Sequence, residues 1–169
     1  LSLGSVDIAA GITLTLAPQS GTATTTFADG AWLGGGTLAF TGTQSLNIEG
    51  APTTLANLTF DMSAGTVTVG GSGSAVVASS AELMLGGGTF NAGLTNNGTL
   101  RLSQGTTHVN STPQNNNEMF LEATASGGAT ANLNAGLVNS GSLTLDNVYA
   151  LATRSVTLNV PGGVLTNDG

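Results

Sequence analysis

The sequence predicts an all-β chain wound as a right-handed parallel β-helix, a solenoid of about eight coils, and three observations carry that expectation. The stretch Phe90 to Leu102, FNAGLTNNGTLRL, returns at Leu133 to Leu145 as LNAGLVNSGSLTL with eight of thirteen positions identical. Both copies alternate. Phe90, Ala92, Leu94, Asn96, Gly98, Leu100 and Leu102 fall on one face of an extended chain, with Asn91, Thr95, Asn97 and Arg101 on the other. Aromatic residues are only 4% of the composition and glycine supplies 26 of 169 residues, so the core must be narrow, aliphatic and frequently bent. Residues 1–169 read as a single solenoid segment. The alternative is an antiparallel β-sandwich in which Asn97-Gly98 closes a hairpin. It accounts for that dipeptide but not for the same parity around Ser140-Gly141.

Each element follows from the same alternation. Ile12 to Leu16, ITLTL, is the first clear strand, closed by Ala17 and Pro18. GTATTTFADG holds a second strand ending at Phe27, and after glycines 34–36 the run TLAF turns Leu38 and Phe40 inwards. SLNIEG, LANLTF and GTVTVGG then follow as short β-type runs between Gly, Pro, Ser and Asn. AVVASSAELML contains good helix formers, but the following GGGTF restates the GGGT of 34–37 and favours a strand over Glu82 to Leu85. The polar stretch 103–118, with one proline and three consecutive asparagines, reads as a protruding loop or an irregular coil. MFLEA restarts the strand pattern, and SVTLNV leads through PGG to LTNDG, which restates LTNNG. The chain thus reads as a piece of a longer repetitive polypeptide. The clear copies lie 43 residues apart with strand material between them, which corresponds to two coils of about 21 or 22 residues.

Charge excludes whole classes of partner. The chain has no lysine, its arginines are Arg101 and Arg154, and the formal net charge is −7. A phosphate backbone needs clustered cations, so no nucleic acid is expected, nor adhesion to an anionic bilayer. No apolar run is long enough to insert into a membrane. Without cysteine there is no disulfide, thiolate metal site or thiol nucleophile.

The search for chemistry assigns no catalytic, metal, cofactor-binding or ligand-binding residue. Glu118 and Glu122 share a strand face but stand about 13 Å apart, too far for a paired acid and base. His108 is a lone imidazole in a polar setting, glycines 34–36 and 86–88 lack the context of a phosphate loop, and Asp29 and Asp168 precede glycine as turn formers. Trp32 and Tyr149 could stack on a sugar ring, although burial is the commoner fate. The inward asparagines Asn96 and Asn139, with Asn167 in the third partial copy, read as a stack at a coil corner. Each amide would donate to one neighbour and accept from the other, with Gly98, Gly141 and Gly169 allowing the bend.

GLTNNGTLRL and GLVNSGSLTL resemble the coils of bacterial β-helical surface proteins of the filamentous-haemagglutinin type, autotransporter passengers and related large adhesins. The resemblance implies export from a Gram-negative cell and a non-enzymatic extracellular stalk or adhesive fibre. A host surface or glycan is the expected contact of such a module, and exposed coil ends, with unpaired strand edges, could also join head to tail into fibres. Two other functions remain open. One is ice or other flat-surface recognition through Thr-x-Thr rows at Thr13/Thr15, Thr24/Thr26 and Thr66/Thr68, which do not recur once per coil in the sequence. The other is polysaccharide cleavage, although the paired aspartates and the arginine or lysine elements of β-helical polysaccharide-cutting enzymes are missing.

Overall fold

The computed structural model describes residues 1–148 and 153–169. Its strands pair in parallel throughout, and the winding is a right-handed β-helix of about 7 turns, slightly fewer than the eight expected. At about 4.8 Å per turn the rod is roughly 34 Å long. An isolated antiparallel bridge, Thr124 to Gly127, is the exception. The sandwich is therefore excluded.

Three walls enclose the core. The first is built from rungs such as Thr53–Ala56, Ser74–Val77, Gly93–Asn96 and Leu137–Asn139. The second holds Glu82–Leu85, Thr99–Ser103, Glu118–Ala123 and Ser142–Asn147. The third holds Ala23–Phe27, Gly88–Phe90, Gly105–Val109, Ala129–Leu133 and Val156–Asn159. Early in the chain the corners are soft enough for one strand to pass round them, as Trp32–Ile48 does across all three walls.

Alternation within each rung becomes columns between rungs. On the second wall Leu14, Leu38, Phe60, Leu83, Leu100, Met119 and Leu143 stack in register. The two sequence copies are thus two rungs of one column system, separated by Met119. Burial follows position along the rod. Leu14 and Leu145 have inward parity yet remain 40% and 49% exposed, because each belongs to an end rung covered on one side only. Phe60 packs against Phe27 and Phe40 with ring centroids 5.9 and 4.9 Å away, so three of the scarce aromatics meet in one part of the core.

The stretch 103–118 is not a protrusion. Gly105–Val109 is a rung of the third wall between Gly88–Phe90 and Ala129–Leu133, and Gln114–Asn115 is a rung of the first. Thr107 and Val109 turn inwards there, so the alternation is kept with a polar residue in an apolar slot. The expected strand at Glu82–Leu85 is present. Asn97-Gly98 forms a coil corner instead of a hairpin. A Cβ at Gly98 would stand 2.2 Å from the Ala78 carbonyl oxygen, so the coils approach too closely there for any side chain.

Candidate functional surfaces

The walls differ sharply in chemistry, and the differences arise where corner geometry and outward residues change along the chain. In the first wall one inward column runs Val6, Leu33, Leu55, Val77, Asn96, Asn115, Asn139, Asn167. It switches from aliphatic to amide halfway down the rod. The switch coincides with tighter corners. Ala78 to Ala81 separate the rungs after Val77, whereas only Asn97 and Gly98 do so after Asn96. The tight corners aim carbonyl oxygens at the core, and a buried carbonyl needs a donor.

The asparagines supply it. Asn96 Nδ2 donates to Asn115 Oδ1 (2.6 Å) and to the Glu118 carbonyl (2.8 Å). Asn115 Nδ2 donates to Asn139 Oδ1 (2.5 Å) and to the Ser142 carbonyl (3.0 Å). Asn139 Nδ2 donates to Asn167 Oδ1 (2.5 Å) and to the Gly141 carbonyl (2.9 Å). Asn96 has no amide on its other side, and its Oδ1 accepts from the Gly98 N–H instead (3.1 Å). The expected stack exists, but with Asn115 as a member that the sequence reading missed. Its steps are 19, 24 and 28 residues, and the first two together span the distance between the two sequence copies.

The second wall collects charge. Asp61, Glu82, Glu118, Glu122 and Asp146 all face outwards on it. Arg101 bridges coils there, with Nε donating to Glu82 (2.6 Å), Nη1 to Glu122 (2.6 Å) and the guanidinium 4.4 Å from the Phe120 ring centroid. Burial alone lowers the Arg101 pKa, but the hydrogen bonds and charges of Glu82 and Glu122 outweigh it and leave the group above its ordinary value. Glu118 receives a hydrogen bond from Thr99, so Glu118 and Glu122 serve different neighbours. Among the described residues no three His, Cys, Asp or Glu side chains meet in a metal-sized group.

The third wall is neutral. One outward column runs Thr43, Thr66, Thr106, Thr130, Thr157, with Gly87 at the intervening rung. Beside it runs Thr24, Ser45, Thr68, Thr89, His108, Asn132, Asn159. No acidic or basic residue other than His108 stands in either column. Across the two columns Thr-x-Thr itself stands on one rung, Thr66/Thr68, as expected from its failure to recur once per coil. What the register adds is that single threonines of successive coils stack into columns. His108 sits inside this array, its Nδ1 3.4 Å from Asn132 Nδ2, and Asn159 donates to Asn132 at 2.9 Å. A third file, Asn91, Asn110 and Asn134, is a second amide ladder along the wall's edge.

The other candidates resolve as architecture. Trp32 is 39% exposed on the first wall and lies across Gly34, where a Cβ would come within 2.1 Å of the indole. This accounts for the first glycine of 34–36. Asp29 does not cap its own bend; its carboxylate accepts the N–H of Ala51 in the next coil. Tyr149 lies outside the described residues. The geometry defines a three-walled parallel β-solenoid with one charged wall and one neutral, threonine-rich wall. In comparisons with family models, curated proteins and solved structures, the chain finds no match.

Proposed function

We propose that this chain is a non-enzymatic structural and adhesion module, a rigid segment of an exported bacterial surface protein, with the neutral third wall as its contact face. One observation carries the reading: an amide ladder inside the first wall and Arg101 across the second hold coil to coil, whereas the third wall keeps unengaged hydroxyls. There the outward threonines Thr43, Thr66, Thr68, Thr89 and Thr106 stand beside the asparagine ladders with no side-chain hydrogen bond of their own among the described residues. Parallel ladders and stacked amides resist shear between coils, which suits a stalk. Export from a Gram-negative cell rests on the resemblance of GLTNNGTLRL and GLVNSGSLTL to surface-protein coils, and the absence of lysine accords with it.

Two measurements test the proposal. Protease shaving of intact cells that make the parent polypeptide should release peptides from residues 1–169. A reducing-sugar assay of the purified chain across acidic and neutral glycans should give no turnover. Cleavage that follows enzyme concentration, or a parent polypeptide protected inside intact cells, would refute it.

A further inference from the structure

We propose that the third wall binds ordered water at the surface of ice. The inference deepens the adhesion reading, and rests on it for the identity of the contact face. It starts from the unused hydroxyls. Thr43, Thr66, Thr68, Thr89 and Thr106 make no side-chain hydrogen bond within the protein, whereas the asparagines of the neighbouring ladders are engaged with one another. The hydroxyls are also positioned in two directions. Parallel register sets a repeat of about 4.8 Å from coil to coil, and strand pleating sets about 6.6 Å between outward residues along a rung. Side-chain ladders along a stack are the setting in which a sheet remains flat.

Threonine suits such a surface because branching at Cβ stiffens χ1, so hydroxyl and methyl are held in place before contact. Little side-chain freedom is then lost on binding. The chemistry of the wall discriminates against other occupants. Apart from the lone His108 its columns carry no basic side chain for a polyanion, and they carry no carboxylate for a cationic partner. They present no Trp, Tyr or Phe ring on which a sugar could stack, and no aliphatic anchor for a second protein. What remains is a neutral array of donors, acceptors and methyl groups with a lattice-like repeat, matched to a solid whose oxygens repeat in two dimensions on the same few-ångström scale.

The test is thermal hysteresis of the purified chain in a nanolitre osmometer, together with partition of the labelled chain into a growing ice hemisphere. The wild type should hold a freezing gap and facet the crystals. T68Y, which places a ring in the middle of the array, should reduce the gap at least tenfold, while T144Y on the outward face of the second wall should leave it unchanged. Circular dichroism melting verifies that each variant folds. If T68Y does not, T68V keeps the branched shape without the hydroxyl and should reduce the gap at least twofold. A folded wild type that neither holds a gap nor enters ice overturns the inference, as do equal losses in T68Y and T144Y, or retention on crystalline chitin without ice activity. None of these results touches the shaving and reducing-sugar measurements, so failure here and failure of the adhesion reading are distinguishable.

Discussion

Replacing Asn115 by alanine is the sharpest probe of how the rod holds together. Asn115 is 1% exposed and accepts from Asn96 while donating to Asn139 and to the Ser142 carbonyl. The N115A change removes these bonds, each worth about 1 kcal/mol net, and leaves Asn139 Oδ1 and the Ser142 carbonyl without this donor at a further cost of about 1–3 kcal/mol. We expect a loss of roughly 3–5 kcal/mol in urea unfolding followed by far-ultraviolet circular dichroism. Most domains have only about 5–15 kcal/mol to lose. Because coils contact only their neighbours, the weakened step should also separate unfolding of the coils on either side of it. N115L decides between polar pairing and packing. Leucine occupies this column at Leu33 and Leu55, so the volume is acceptable, yet the tight corner still lacks its donor. N115L should therefore be nearly as unstable as N115A. If N115L unfolds within about 1 kcal/mol of the wild type, the amide ladder is merely filling space and the argument fails.

Three further outcomes follow from the same geometry. Thr53 Oγ1 is buried without a partner beside an apolar cavity lined by Phe27, Phe60 and Phe90, so T53V should raise the unfolding free energy by about 1–2 kcal/mol; destabilisation would mean that the hydroxyl is satisfied. R101M should cost about 1–2 kcal/mol, since the bridged carboxylates are then left facing each other across coils. The folded-state pKa of Arg101 is raised, so its contribution is fully present below the unfolded value and lost only as pH rises through the folded one. The R101M deficit should accordingly be equal at pH 7 and pH 9. Finally, deleting 97–115 removes one whole coil and brings Asn96 to the corner before Asn116, so a shortened rod should still fold cooperatively. Deleting 104–113 removes a third-wall rung and should abolish cooperative melting; the reverse ranking would restore the protruding-loop reading of this stretch.

Much of the architecture was legible in the two copies around Asn96 and Asn139. Parity told which side chains enter the core, and the inward amides demanded a stack because no isolated asparagine can be buried there cheaply. Asn115 escaped because it lies in a run without apolar alternation, two residues after Pro113, where polarity suggested a loop. A signal was present: paired asparagines at 96–97 recur at 115–116, 19 residues on, matching the ladder step. Searching for a constant coil length hid it, since the next step is 24 residues.

The sequence by itself determined the local rule: extended segments with one face apolar, bent at glycine and asparagine, and too poor in aromatics for a broad core. That rule is local because side-chain direction in a strand depends only on odd or even position. Tertiary structure alone decided which strands share a wall, and with that where Arg101 finds two glutamates and where scattered threonines become columns. Such adjacency is fixed by backbone ladders between coils of unequal length, and those ladders place residues side by side at separations that no single period in the sequence records.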